Sequence, residues 1–300
     1  MPHSVIGRIL GFAIGTIAPK RLVWILAKRF IAGREIHSAL GTAKRLNKKG
    51  FLVSMDYIGE EVTDCNEIQR VNIEYLNLLK AMKTLNIRGD ISLKLSHFGL
   101  LNNNPRPEVL SRGLNAFGRL IHCAQQDALR VWVDAESLRW RDATWELMMN
   151  VAKNYSNIGI RIQAYAVDAV EFLAGRIKDG WRGSVGICKG AYREHGSKIV
   201  RGARLRENFL ALCKLIAENG LFLQIDTHDE ELSYEAEMLI GNAPHEHGLP
   251  LGVNEQFARL LQRTAEQVNI YGPYGSDVKG YVGRRIAERP QYIFLPFRRT

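Results

Sequence analysis

Six short apolar runs end in residues that can hold charge or move a proton. Lys94 stands inside SLKLS, and Asp134 and Glu136 close the run that starts Val-Trp-Val. Gln163 ends IGIRIQ, and Lys189, Gly190, Ala191 and Tyr192 follow GSVGIC. Thr227 and His228 follow LQID, and the last run ends at Tyr271. Near the end of the chain Arg284 and Arg285 are adjacent, with Glu288 one helical turn later. Two guanidinium groups can grip one carboxylate through planar, charge-assisted hydrogen bonds. The same three residues can equally form an ion pair on a wet helix face. A lysine followed by glycine at a strand end lets a phosphate approach the backbone while the ammonium neutralises it. His228 can face the same phosphates, and Gln163 can hydrogen-bond a ring. The ligand so described is large, anionic and partly planar. FAD fits it, although these residues alone do not choose FAD over other phosphorylated ligands.

The elements that position these residues follow a rhythm. Strand-like runs at 51–59, 91–99, 129–137, 158–166, 183–192, 221–229, 246–252 and 268–275 alternate with helical patterns. The helices fall at 64–84, 107–127, 139–155, 167–178, 198–219, 231–241, 254–267 and 277–289. Strict alternation implies a parallel sheet, and eight units imply an α/β fold of the closed (β/α)₈ kind. In such barrels chemistry sits at the carboxyl ends of the strands, where the polar residues above fall. The seventh strand has the weakest pattern, with Gly and Pro and no β-branched residue. The expected division is a basic helical arm at 1–50 and a barrel at 51–300.

Charge, cysteines and absent motifs narrow the function. The 300-residue chain is 46% hydrophobic with a net charge of +10. Ten basic residues stand against one acid within residues 1–50, so nearly all of the excess lies there. The apolar run SVIGRILGFAIGTIAP is shorter than the roughly 20 residues that span a bilayer, and Arg8 interrupts it. It also lacks a signal peptide's basic leader and cleavage site. A basic helix with an apolar face suits the surface of an anionic membrane. It suits packing on its own domain equally well. Beyond residue 50 acids balance bases and no recognition module is visible, so no nucleic-acid partner is expected. Four scattered cysteines without a CxxC fit a reducing cytoplasm. His245-Glu246-His247 sets two imidazoles on one side of an extended chain, but no third ligand is evident, so no metal is expected. Neither GxGxxG after a strand nor GxxxxGK[ST] occurs.

The chain resembles the proline dehydrogenase family, especially its short single-function bacterial type. The resemblance rests on FIAG (30–33), SLKLSHFGL (92–100), VDAES (133–137), IQAY (162–165), KGAYRE (189–194), THD (227–229) and YGPYG…YVGRRIAERP (271–290). It implies a barrel with FAD at its mouth, oxidising L-proline to Δ1-pyrroline-5-carboxylate and passing electrons to a membrane quinone. That makes a cytoplasmic protein, peripheral on the membrane, the expected setting. By position, Arg284 and Arg285 bind the substrate carboxylate with Glu288 beside them. Lys94 and Asp134 pair on the pocket floor, while Tyr192 and Tyr271 pack around the ring. Gln163, Lys189, Gly190, Ala191, Thr227 and His228 contact FAD. The clamp requires the last helix to leave the outer ring and lie over the barrel mouth. Two positions depart from the family pattern. Gly186 stands where members usually carry an arginine against the flavin, and HEHGLPLG replaces an aromatic-rich seventh strand. Oxidation of another cyclic imino acid, such as hydroxyproline or a specialised biosynthetic substrate, and a barrel enzyme without flavin stay open as alternatives.

Overall fold

The computed structural model describes residues 12–288 except 60, 193, 195 and 265; of 15, 20, 22, 284, 287 and 288 only the backbone is described. Eight strands close into one parallel barrel in sequence order. They are β1 (Leu52–Tyr57), β2 (Gly89–Leu93), β3 (Val131–Val133), β4 (Ile158–Gln163), β5 (Ser184–Cys188), β6 (Leu223–Asp226), β7 (His245–Pro250) and β8 (Val268–Tyr274). The helices are α1 (Lys20–Ala27), α2 (Ile36–Lys48), α3 (Cys65–Thr84), α4 (Pro107–Gln126), α5 (Arg141–Val151), α6 (Ala169–Lys178), α7 (Ala203–Glu218), α8 (Glu230–Ile240), α9 (Glu255–Arg263) and α10 (Lys279–Glu288). The (β/α)₈ expectation holds.

Alternation builds the wall. Val53 and Met55, Ile91 and Leu93, Val131 and Val133, Ile158 and Ile160, Val185 and Ile187, Leu223 and Ile225, and Val268 and Ile270 are all buried. Successive strand residues face opposite sides, so these side chains point outward into the layer that the helices cover. Each helix answers with its own stripe. In α3, Asp64 caps the first turn by accepting from Asn66 N at 2.6 Å, and Ile68, Val71, Tyr75, Leu78, Leu79 and Met82 are buried. The apolar core is therefore the ring between sheet and helices.

The barrel interior is polar. Ser54, Asp56, Asp90, Ser92, Arg161, Gln163, Gln224, Glu246 and Asn269 are all buried, where barrels of this kind usually stack branched aliphatics. Trp132 fills the middle of the lumen opposite Gly159, where a Cβ would come within 2.4 Å of its ring. The indole donates to Asp90 at 2.9 Å. The weakly patterned β7 forms because Gly248 is the residue that fits. A Cβ there would meet the Asp226 carboxylate at 1.8 Å.

Several boundaries differ from the sequence reading. The second strand stops at Leu93, and Leu95–Phe98 coil into a 3₁₀ turn that ends on Gly99. The third strand keeps three residues. Asp134 N still donates to Leu93 O at 2.8 Å, and the chain then leaves the sheet. The eighth strand runs to Tyr274, as the 268–275 pattern predicts, so Tyr271 lies within it and not at its end. Ala32 N donates to Pro273 O at 2.8 Å and Gly275 N to Gly33 O at 3.1 Å, which extends it. Tyr271 thus stands inside the barrel rather than on its rim. Within the arm, Val23, Leu26, Ala27, Phe30 and Ile31 pack with Val278, Tyr281, Val282 and Ile286 of the C-terminal segment. Arg8, Gly7 and Gly11 of the early apolar run lie outside the described residues.

Candidate active site

The floor of the mouth is a network of charge. Lys94, just past β2, holds its ammonium 3.2 Å from Asp56 Oδ2 and 3.6 Å from Asp134 Oδ2. Tyr271 donates its hydroxyl to Asp56 in a short hydrogen bond and lies 3.4 Å from Asp134 Oδ2. Tyr75, from α3, donates to Asp56 Oδ1 at 3.2 Å. Arg161 spans the lumen from β4. It donates to Asp134 Oδ1 at 2.6 Å, Ser92 Oγ at 2.7 Å, Gln224 Oε1 at 2.6 Å and Asp226 Oδ2 at 2.8 Å. Gln224 then donates to Glu246 at 2.6 Å, which also accepts from Asn269 at 3.3 Å.

Carboxylates outnumber cations in this lumen, and their acidities sort accordingly. Burial raises Asp134 less than Arg161 and Lys94 lower it, so its carboxyl stays below the ordinary range. Burial and the neighbouring Asp134 raise Asp56 despite Lys94. Burial pushes Asp226 up to about 6 despite Arg161. Burial and Asp56 hold the Tyr271 phenol far above its usual value, so it stays a neutral donor. One consequence is measurable. A carboxyl raised in the fold contributes stability that is complete below its unfolded pKa and is lost as pH rises through the folded value. Asp226 moves from 3.8 to about 6, which is on the order of 3 kcal/mol at about 1.4 kcal/mol per unit. Thermal melts of Asp226→Asn should show a flatter decline in Tm between pH 4 and 6.5 than the parent.

The wall continues along the next strand ends. Gln163 donates to Glu136 O at 2.5 Å, and the Glu136 carboxylate accepts from Ser96 N at 3.0 Å, fixing the turn after Lys94. Gln163 Oε1 is buried without a hydrogen-bond partner among the described residues. Gly190 has φ +108°, and a Cβ there would overlap the Tyr165 ring at 1.5 Å, so glycine alone lets the backbone lie on that ring. Lys189 pairs with Asp229 at 2.6 Å, and Asp229 also caps α8. Thr227 is buried, its hydroxyl accepting from Asp229 N at 3.2 Å. Asn254 reaches His228 O at 3.4 Å. Ala191 is exposed and Tyr192 half-buried at the same rim.

The last helix approaches this floor through a pair of tilted tyrosine rings. Tyr281 of α10 lies 6.4 Å from the Tyr271 ring, and the Arg285 guanidinium sits 5.4 Å from the centre of Tyr281. Tyr281 thus lies between the Tyr271 ring and the Arg285 guanidinium. The side chains of Arg284 and Glu288 lie outside the described residues. Sequence reading singled out Lys94, Asp134 and Tyr271, which the fold brings together. It missed Asp56, Arg161 and Asp226, which alternate with aliphatic residues along β1, β4 and β6. The departure at Gly186 also has a structural counterpart. A Cβ there would stand 3.0 Å from Arg161 Cγ and 3.1 Å from Asp226, so Arg161 takes the space that a side chain at 186 would enter.

A charged floor and a polar wall at the carboxyl ends of the strands define the site of a barrel enzyme. The comparisons narrow the class. The family model for proline dehydrogenase matches residues 39–290, and the chain belongs to that family, enzymes that oxidise proline. Proline dehydrogenase 1 of Bacillus subtilis (strain 168) is 29% identical over 276 residues, covering 88% of this chain and 87% of its own. Proline dehydrogenase of Deinococcus radiodurans is 25% identical over 280 residues, 91% and 89%. In fold, the chain matches a crystal structure of proline utilization A from Bdellovibrio bacteriovorus inactivated by N-propargylglycine. The TM-score is 0.80 at 20% identity, over 90% of this chain and 33% of that one. The family implies a flavin. Among the described residues no helix is long and apolar enough to cross a membrane.

Proposed function

We propose that this chain oxidises L-proline to Δ1-pyrroline-5-carboxylate with FAD at the barrel mouth, and that the electrons go on to a quinone-type acceptor. The observation that carries the reading is the floor itself: Lys94 between Asp56 and Asp134, with Tyr271 leading through Tyr281 to Arg285. Gln163, Lys189, Gly190, Ala191, Thr227 and His228 would hold FAD. The orphaned Gln163 Oε1 suits a ring N–H, and the Lys189 ammonium suits a phosphate. Bound FAD supplies a two-electron acceptor for the hydride that leaves the carbon beside the ring nitrogen. The chain's own residues orient and desolvate. Arg285, with Arg284 and Glu288 beside it on α10, grips the proline carboxylate. Tyr192 and Tyr271 bound the ring. The Lys94 pair sets the charge below it and keeps the ring nitrogen away from bulk water.

Purified full-length protein reconstituted with FAD should show flavin bands and reduce a soluble quinone analogue with proline. Each charge-assisted bond from arginine is worth about 1.5–3 kcal/mol, and lysine keeps the charge while losing the fork. Arg285→Lys should raise the KM for proline at least about tenfold, 1.4 kcal/mol per decade, with the flavin spectrum intact. Unchanged proline kinetics in that variant would remove the clamp, and a colourless protein after reconstitution would remove FAD.

A further inference from the structure

The two histidines of β7 break the pattern of the wall. At its outward positions β6 places Leu223 and Ile225, and β8 places Val268 and Ile270. Strand β7 places His245 and His247 there, and His247 is completely buried. Two carboxylates meet them from separate elements, Glu237 from α8 and Glu266 from the segment between α9 and β8. One ligating atom from each of the four lies within 4.8 Å of the others. His245 Nε2 is 3.1 Å from Glu237 Oε1 and 3.2 Å from Glu266 Oε2, while His247 Nε2 touches the same Glu237 oxygen.

The second ring nitrogens are tied back. His245 Nδ1 is 2.8 Å from Ala243 O. A carbonyl only accepts, so that nitrogen carries a proton. His247 Nδ1 is 3.1 Å from Ser233 Oγ, itself buried one turn before Glu237 on α8. Anchors of this type orient imidazoles whose other nitrogen binds a cation. All four Nε2 and carboxylate oxygens therefore converge on one point.

We propose that Glu237, His245, His247 and Glu266 bind a divalent transition-metal ion, with Zn²⁺ as the natural occupant. Two nitrogens and two oxygens suit tetrahedral zinc, whereas Mg²⁺ and Ca²⁺ favour all-oxygen shells. Two carboxylates neutralise a dication, so the filled site carries no net charge into the wall. It lies at the amino-terminal end of β7, opposite the mouth, where barrels concentrate stability rather than chemistry. The ion ties α8, β7 and the approach to β8 into one unit. The active-site reading does not involve it.

The test uses the full-length protein, treated with chelator and then titrated with ZnCl₂. Calorimetry should give one zinc per chain, and Tm should rise by about 5 °C at zinc roughly 100-fold above Kd. MgCl₂ at the same concentration should do nothing. His245→Gln and Glu266→Gln should each weaken zinc binding at least tenfold. Glu266 is partly exposed, so its variant is expected to fold even if the first does not. Absence of zinc binding in the parent would overturn the site. So would zinc binding by both variants as tight as the parent's, because the zinc would then sit elsewhere.

Discussion

Replacing Lys94 with methionine should cost the fold about 3–5 kcal/mol at pH 8 and lower kcat/KM for proline at least a hundredfold. The ammonium is nearly buried and separates two carboxylates, at 3.2 and 3.6 Å. Methionine keeps the length of the stem and removes the charge, leaving Asp56 and Asp134 as like charges sharing Tyr271. Two such carboxyls do not both stay ionised in a dry site, so one takes up a proton. The loss is therefore pH-dependent with a definite sign. A carboxyl whose folded pKa rises gains stability as pH falls, so the gap between variant and parent should narrow from pH 8 to pH 5. Denaturant melts across that range read it directly. A gap that stays constant or widens toward low pH would mean the ammonium does not separate the pair. The kinetic loss follows from the same change: the net charge of the floor is kept, but the ammonium that held both carboxylates in place below the substrate is gone.

A comparable loss is expected for Arg161→Met, and here a double-mutant cycle decides the cause. Arg161 bonds two carboxylates, a hydroxyl and an amide. Removing it strands Asp134 and Asp226, and an unpaired buried charge costs about 3–5 kcal/mol. Asp226→Asn alone removes a carboxyl that already resists ionisation and should cost far less. The double variant should recover at least about 1 kcal/mol relative to the sum of the two, since one stranded charge has gone. Strict additivity in urea melts would show that Arg161 and Asp226 do not act as a pair.

These residues also show what a sequence reveals and what it hides. Alternating aliphatics announce every strand but the seventh, and Asp64 announces the first helix after β1. Strand ends run long in the sequence because nothing there marks where the sheet stops. The chain leaves β3 after Asp134, although AES reads on as strand. The lumen is harder still. A polar residue at every second position looks identical whether that face meets water or the inside of a closed barrel. Asp56 and Arg161 therefore pass as surface residues until closure turns them inward. Lys94 and Asp134 stood out only because they fell at strand ends. The histidine pair of β7 was legible, but its carboxylates come from elements on either side of the strand. Only packing brings them together.

The contact between the arm and the last helix has a consequence for biosynthesis. Val23, Leu26, Phe30 and Ile31 leave the ribosome early, and their partners Val278, Tyr281, Val282 and Ile286 leave about 250 residues later. At roughly 5–20 residues per second that interval is on the order of 10–50 s. For that time the arm carries an uncovered apolar stripe amid strong positive charge, a form that chaperones and anionic surfaces can bind. A nascent chain stalled before residue 278 has its barrel strands but lacks the segment that packs on the arm.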